Sequence, residues 1–141
     1  MVKNLYIFRG VPGAGKSTVS HEFAGNGEYP VIEDDKYFIV EGVDRRAEDY
    51  DNEKHNKLAA QWSLDRLEEV MEEGIEKVFV ANPFIKQKYL TPYFELANKY
   101  GYRVTSMVVE NYHESREIKD KERLETLEDA SYRLPEELKL I

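Results

Sequence analysis

Residues 10–17 read GVPGAGKS and follow directly on the apolar run LYIF at residues 5–8. This spacing of glycines before Lys-Ser is the phosphate-binding P-loop, in which glycine-rich backbone wraps a phosphate at the N-terminus of a helix. The motif needs a strand before it and a helix after it. The sequence supplies both, because LYIF is typical of a strand and STVSHEFA has helical spacing. The pattern predicts a nucleotide-binding α/β fold.

Each part of the motif has an expected role. Glycines permit the backbone conformations and the close approach that an anion cradle requires. Lys16 is expected to place its ammonium between the β- and γ-phosphates, and Ser17 to offer its hydroxyl to Mg²⁺. The predicted nucleotide-binding residues are Gly10, Pro12, Gly13, Ala14, Gly15, Lys16, Ser17 and Thr18. The predicted ligands are a nucleoside triphosphate, taken as ATP, and Mg²⁺.

Length and composition limit the classes of protein that fit. The 141 residues are expected to form one domain, 1–141, and 41% apolar with 34% charged residues is typical of a globular protein. No apolar stretch approaches the ~18 residues of a membrane span, and no signal-peptide pattern is seen, so the expected location is cytoplasmic. The absence of cysteine excludes disulfide partners and thiolate chemistry.

The net charge of −8 bears on the acceptor. An acidic chain repels a long polyanion unless it has a local basic groove, because sequence-independent nucleic-acid binding depends on Lys and Arg contacts to phosphates. The charge therefore favours a small acceptor, or a short nucleic-acid end, over a long duplex.

Strand and helix patterns alternate along the chain. The predicted strands are 5–8, 31–32, 77–81 and 103–109, and the predicted helices are 16–24, 55–73 and 91–100. In the longest helix, Ala60, Leu64, Leu67 and Met71 are expected to share the buried face. Thr91-Pro92 is predicted to begin the last of these helices, as an N-cap followed by proline at the first helical position. The order predicts a parallel sheet with helices on both faces.

Ligands of such sheets bind at the carboxyl ends of the strands. The P-loop, Glu33-Asp34-Asp35 and Asn82 are therefore expected to meet in one cleft. One carboxylate of the acidic run is suited to take a proton from an attacking hydroxyl, and another to hold Mg²⁺ or its waters; the alternative is a solvated acidic turn. The strand at 77–81 ends without a carboxylate, which argues against a motor-type ATPase. Mg²⁺ is then expected to be bound by Ser17, the phosphates, water and Asp34 or Asp35, and the predicted metal residues are Ser17 and Asp34.

The charged segment from residue 110 onward carries Arg116, Arg123 and Arg133. A C-terminal helical lid of this kind is expected to bring an arginine over the transferring phosphoryl group. The alternative is a solvated helix held by ion pairs three or four residues apart.

The sequence resembles the P-loop polynucleotide kinase-like phosphotransferases, which include the phage 5′-hydroxyl polynucleotide kinase and the kinase domains of animal Nedd4-binding proteins. The resemblance runs from GVPGAGKST through DDKYF to YFELANKYGYRV. Ala59, Trp62 and Arg66 also stand where the Nedd4-binding branch carries its A-H-x-W-x3-R pattern. In contrast, the D-x-T-N of the family is Ala81-Asn82-Pro83-Phe84 here, and its lid Arg-Asn pair is missing.

The resemblance implies an ATP-dependent phosphotransferase that moves the γ-phosphoryl group to a hydroxyl. It implies that Lys16 and Ser17 serve phosphate and Mg²⁺, that Asp35 is the general base, and that Arg116 or Arg123 is the lid arginine. The implied acceptor is a polynucleotide 5′-OH end. Two alternatives stay open: a kinase of a small metabolite or nucleotide, and a catalytically impaired nucleotide-binding regulatory protein.

Overall fold

The computed structural model describes residues 2–10, 15–83 and 87–109. Within these residues strands and helices alternate, as the sequence predicts. The elements are β1 (Lys3–Arg9), α1 (Lys16–Phe23), β2 (Val31–Ile32), α2 (Asp35–Val40), α3 (Asn52–Glu72), β3 (Lys77–Ala81), α4 (Gln87–Tyr100) and β4 (Tyr102–Val108). Every predicted strand is present with its bounds shifted by two residues or fewer. The acidic segment additionally forms the six-residue helix α2.

The four strands form one parallel sheet in the order β2-β3-β1-β4. β1 lies between β3 and β4, with Phe8 opposite Ala81 on one side. β2 is added beyond β3, with Ile32 opposite Val80. The carboxyl ends of β1, β2 and β3 therefore lie side by side, which confirms the α/β P-loop fold predicted from the sequence.

The two faces of the sheet are covered by different helices. Successive side chains of a strand point to opposite faces, and Leu5 and Ile7 of β1 accordingly join a large core cluster with α3 and α4. Phe8 joins a smaller cluster that contains Ala24 and contacts Val19 of α1. Helices on both faces of the sheet are thus confirmed.

Helix α3 is the longest element and the main support of the large cluster. The Asp51 side chain caps its N-terminus by accepting a hydrogen bond from the Lys54 backbone N–H at 3.1 Å. Of the predicted apolar face, Leu67 and Met71 are buried, and Leu64 packs half-buried against the large cluster. The buried residues of α3 are Ala59, Ser63, Leu67, Val70 and Met71, whereas Ala60 and Leu64 are half-buried.

Helix α4 begins earlier than the sequence predicts. The Thr91-Pro92 pair was expected to start the helix, but α4 starts at Gln87 and contains Pro92 in its interior. Proline lacks an N–H and so removes one backbone hydrogen bond from the helix. The additional first turn contains Leu90, which is 1% exposed and belongs to the large core cluster. Burial of Leu90 therefore outweighs the local preference of the proline.

Helix α2 packs on α3 through a third, separate cluster. Tyr37 and Phe38 of α2 are buried there against Ala59 of α3. Partly buried Val43, Tyr50 and Trp62 surround them. The segment between β2 and α3 thus has a small core of its own, outside the two clusters of the sheet.

The predicted C-terminal lid lies outside the described residues. Among α1 to α4, none combines the length with the apolar composition that crossing a bilayer requires.

Leu67→Ala tests the large cluster. Leu67 is fully buried beneath the sheet, so we expect the free energy of unfolding to fall by about 2–5 kcal/mol. Leu58→Ala is the matched control on the same helix, because Leu58 is 42% exposed and should change the value by only about 0.5 kcal/mol. Urea unfolding monitored by circular dichroism measures both. Equal losses in the two variants would contradict the described packing of α3.

Candidate active site

A cleft of about 600 Å³ opens at the carboxyl ends of β1, β2 and β3. Three loops meet in it: the end of the P-loop, the acidic segment after β2 and the residues after β3. The lining residues are Gly15, Lys16, Ser17, Thr18, Glu33, Asp34, Asp35, Arg45, Ala81, Asn82 and Pro83. The sequence prediction that the P-loop, the acidic run and Asn82 share one cleft is confirmed.

Gly15 begins α1 in a conformation that suits glycine. Its φ is 98°, in the left-handed region where a side chain is strained, and it is the N-cap residue of α1. The helix N-terminus that follows carries unsatisfied backbone N–H groups and the positive end of the helix dipole. Ser17 and Thr18 stand in this first turn, exposed toward the cleft. The start of α1 is therefore built as an anion site.

Lys16 lies at the base of the cleft and is folded back onto the P-loop. Its Nζ donates a hydrogen bond of 2.8 Å to the carbonyl of Gly10. Burial lowers the pKa of the Lys16 ammonium, and the nearby carboxylates of Asp35 and Glu33 raise it. Lys16 and Asp35, the predicted general base, line the same cleft.

Asp34 is held by two neighbours. Its Oδ1 accepts a hydrogen bond of 2.5 Å from the Ser63 hydroxyl and one of 3.0 Å from the Asn82 amide. Its backbone N–H donates to Asn82 Oδ1 at 2.9 Å, so that Asp34 and Asn82 are bonded in both directions. Burial raises the pKa of the Asp34 carboxyl above 3.8, and the two hydrogen bonds lower it.

Tyr93 of α4 is also hydrogen-bonded to Asn82. Its hydroxyl oxygen accepts a hydrogen bond of 3.5 Å from the Asn82 amide. Burial raises the pKa of the Tyr93 phenol, and the Asp34 charge raises it further. The phenol therefore stays protonated at neutral pH, next to the carboxylate.

Asp35 differs from Asp34 in its exposure and in its hydrogen-bond partners. Its side chain is 87% exposed, and its Oδ1 accepts a hydrogen bond of 3.2 Å from Arg45 Nη2. The Arg45 guanidinium carbon lies 3.4 Å from the centre of the Phe38 ring, a cation–π contact. Glu33, the third acid, is paired instead with His21 at 3.5 Å and Lys36 at 3.8 Å. Three consecutive acids thus have three different environments.

Several predicted residues lie outside the described part of the chain. These are Pro12, Gly13 and Ala14 of the P-loop and the lid candidates Arg116 and Arg123. Of the predicted residues that are described, Gly15, Lys16, Ser17, Thr18, Asp34 and Asp35 line the cleft, and Gly10 accepts the hydrogen bond of Lys16.

The lining supplies ligands of the kind that Mg²⁺ prefers. Ser17 offers a hydroxyl, and Asp34 and Asp35 offer carboxylates. Magnesium is bound mostly by oxygen atoms, with one or two carboxylates completed by phosphates and water. Within the described residues no group of three His, Asp or Glu converges as an all-protein metal cage. The donor set fits a metal that is shared with phosphates.

Two residues of the site were missed by sequence reasoning. Ser63 interrupts the apolar face of α3, and a buried serine in that position is itself a signal of a polar partner. Arg45 lies in the polar segment between α2 and α3, where no periodic pattern singles it out.

Comparison with known proteins agrees with this geometry. A family model described as AAA domain matches residues 5–139, almost the whole chain. The chain belongs to this family. As an AAA domain protein it shares with the family the region that contains the P-loop, the acidic segment and the described sheet.

Solved structures resemble this AAA domain protein in fold. A candidate kinase from Chloroflexus aurantiacus J-10-fl has a TM-score of 0.66 at 13% identity, covering 93% of this chain and 76% of that one. A chain of the Pnkp1/Rnl/Hen1 RNA repair complex has a TM-score of 0.62 at 14% identity, and the match covers 88% of this chain and 38% of that one. The Mycobacterium tuberculosis APS kinase CysC, in complex with AMPPNP and APS, has a TM-score of 0.52 at 14% identity, and the match covers 94% of this chain and 77% of that one. These structures share the α/β P-loop fold of this chain.

Asp34→Asn tests the environment of the buried carboxyl. A carboxyl with a raised pKa in the folded chain binds more protons there than in the unfolded chain, so the contribution of Asp34 to the free energy of unfolding falls as the pH rises above 3.8. The asparagine removes this titration and keeps an oxygen for Ser63 and Asn82. We expect the stability of the variant relative to the native protein to increase between about pH 3 and about pH 7.

Urea unfolding at each pH measures this difference. Asp49→Asn is the control, because Asp49 is exposed and lies outside the cleft lining. A difference between Asp34→Asn and the native protein that is constant over this range would contradict the described burial of Asp34.

Proposed function

We propose that the protein is a Mg²⁺/ATP-dependent phosphotransferase that moves the γ-phosphoryl group of ATP to a hydroxyl acceptor. The proposal rests on one observation: Lys16 and the exposed carboxylate of Asp35 line the same cleft at the N-terminus of α1. A phosphate-binding lysine and a solvent-facing base in one cleft are the two groups that phosphoryl transfer to a hydroxyl requires.

The triphosphate is assigned to the P-loop side of the cleft. The first turn of α1 would face the β-phosphate, and the Lys16 ammonium would exchange its bond with the Gly10 carbonyl for phosphate oxygens. Ser17 and Asp34 would hold Mg²⁺, which supplies charge neutralisation at the β- and γ-phosphates. Arg116 or Arg123 is the proposed lid arginine.

Asp35 is the proposed general base. Its carboxylate takes the proton of the acceptor hydroxyl as the oxygen attacks the γ-phosphorus; the bond from that phosphorus to the β,γ-bridging oxygen breaks, and ADP leaves. Asp35 later releases the proton to water. High exposure suits this role, because an incoming hydroxyl must approach the carboxylate directly.

The acceptor proposed first is a polynucleotide 5′-OH end. The resemblance to polynucleotide kinase-like phosphotransferases and the fold shared with a chain of an RNA repair complex support it. A small-metabolite or nucleotide acceptor is the second candidate, which the net charge of −8 favours. A regulatory protein that binds ATP without transferring phosphate is the third candidate, motivated by Ala81-Asn82-Pro83-Phe84.

Two substitutions separate nucleotide binding from transfer. We expect Lys16→Ala to weaken ATP binding by at least about tenfold, because it removes a charged phosphate contact. We expect Asp35→Asn to bind ATP as the native protein does and to lower transfer to a 5′-OH oligonucleotide by about 100-fold or more. Calorimetry with ATP and transfer of label from γ-labelled ATP measure the two effects.

Asp49→Asn serves as the control for the charge change of Asp35→Asn. If the Asp35→Asn protein transferred label at the rate of the native protein, Asp35 would be excluded as the general base. Tight ATP binding by a native protein that transfers label to neither an oligonucleotide nor a nucleoside would favour the regulatory candidate.

A further inference from the structure

A second pocket, of about 290 Å³, opens beside β2, the last strand on its side of the described sheet. Two rings and three basic side chains line it: Tyr29, Trp62, His21, Lys36 and Arg66. We call this space the edge pocket. None of its described lining residues also lines the active-site cleft, so the two are separate spaces. The proposed function uses none of these five side chains.

The charge of the edge pocket is opposite to that of the chain. The chain has a net charge of −8, yet the described lining contains His21, Lys36 and Arg66 and neither Asp nor Glu. The active-site cleft differs, because three acids line it beside two cations. A pocket that collects basic side chains in an acidic chain suits an anion, which the acids elsewhere on the surface would repel.

Lys36 is fixed at the outer edge of β2. Its Nζ donates a hydrogen bond of 2.6 Å to the carbonyl of Val31 and lies 3.8 Å from a carboxylate oxygen of Glu33. An ammonium has three N–H donors, and among the described residues this one makes a single hydrogen bond. Lys36 is therefore held in place with donors left for a ligand.

The ion pairs of the three basic side chains are exchangeable. Arg66 pairs with Glu69 at 3.2 Å on side chains that are 46% and 63% exposed, and pairs between exposed groups contribute little to stability. His21 and Lys36 share one carboxylate, that of Glu33, at 3.5 and 3.8 Å. A phosphate in the pocket would replace these partners with a stronger one, because charge-assisted bonds to phosphate are among the strongest hydrogen bonds in proteins.

Trp62 and Tyr29 give the pocket its apolar faces. Trp62 is half-buried and packs on the cluster between α2 and α3, so its indole is held in position. Tyr29 packs on the smaller cluster of the sheet. Aromatic side chains offer π-faces on which a nucleobase stacks without base-specific hydrogen bonds. The rings and the basic side chains together point to a ligand that joins a flat ring to an anion.

The arrangement of the donors favours phosphate over carboxylate. They come from three helices, His21 from α1, Lys36 from α2 and Arg66 from α3. Donors from three elements suit the three terminal oxygens of a phosphate monoester better than the two coplanar oxygens of a carboxylate. The volume of about 290 Å³ lies at the lower end for ligand sites, which suits a ligand the size of a pyrimidine mononucleotide.

We propose that the edge pocket is a second ligand site, which binds a phosphate monoester with a flat ring, a pyrimidine mononucleotide by chemical class. The ring stacks on Trp62, and Lys36 and Arg66 bind the phosphate. Glu33, the partner of Lys36, also lines the active-site cleft, so the two sites are connected through one carboxylate. The site does not depend on phosphoryl transfer, because no residue of the edge pocket takes part in the proposed reaction.

Trp62 is the only tryptophan of the chain, so its fluorescence reports on the edge pocket itself. UMP is the probe, and the active-site cleft is first filled with Mg²⁺ and a non-hydrolysable ATP analogue. Uridine supplies the ring without the phosphate, and ribose 5-phosphate supplies the phosphate without the ring. We expect UMP to quench the emission and, by calorimetry, to bind at least about tenfold more tightly than either fragment, because each fragment lacks the stacking contact or the charge-assisted hydrogen bonds.

Arg66→Gln should raise the Kd of UMP by about tenfold or more and leave that of uridine unchanged. Arg103→Gln is the first control, because it removes the same charge from an exposed residue of β4 outside the pocket and should bind UMP as the native protein does. Glu69→Gln is the second control. It breaks the ion pair of Arg66 and keeps the arginine, so UMP should bind equally or more tightly.

The proposal is overturned if UMP changes neither the emission of Trp62 nor the calorimetric heat, if UMP binds no more tightly than the fragments, or if Arg66→Gln binds UMP normally. It is also overturned if Glu69→Gln weakens binding as much as Arg66→Gln does, because loss of the ion pair would then explain the effect. Lys16→Ala separates the two sites: UMP binding that survives it supports the edge pocket, and binding that is lost assigns UMP to the cleft. Failure of phosphoryl transfer leaves these outcomes unchanged.

Discussion

The reciprocal pair of Asp34 and Asn82 holds the active-site edge of the sheet together. Asn82 follows β3, its backbone N–H donates to the carbonyl of Phe8 at the end of β1, and its side chain is bonded twice to Asp34 after β2. Ser63 adds α3 to the same carboxylate. A short run of hydrogen bonds thus connects three strand ends and a helix, and the geometry of the cleft depends on it. Burying these polar groups is tolerated because each finds a partner.

The pair also explains how consecutive acids acquire different chemistry. Asp34 and Asp35 are adjacent at the start of α2, so their side chains diverge by about 100° around the helix axis. One carboxylate points back into the sheet and is held by Ser63 and Asn82, and the other projects into solvent beside Arg45. A carboxylate held by two hydrogen bonds is suited to ordering a site, and an exposed one is suited to direct contact with a substrate.

Much of this arrangement follows from the sequence, and the exceptions have physical causes. Strand positions follow from short apolar runs rich in β-branched and aromatic residues. The meeting of the P-loop with the acidic run follows from the rule that parallel strands present their carboxyl ends to ligands. The start of α4 was misplaced because burial of Leu90, a tertiary effect, outweighs the local signal of Pro92. Arg45 was missed because its position depends on a contact with Phe38 of α2, seven positions earlier in the chain.

The separate small core between α2 and α3 has a consequence for how this protein can change. Tyr37 and Phe38 pack against Ala59 and not into the clusters beneath the sheet, so residues 35–50 form an appendage with its own packing. In the proposed function this appendage carries Asp35, which would face the acceptor, whereas the nucleotide would bind at the end of the sheet and the start of α1. Replacing the appendage as a unit would then change the acceptor and leave the nucleotide site intact. The proposed nucleotide and acceptor sites thus belong to separately packed parts of the domain.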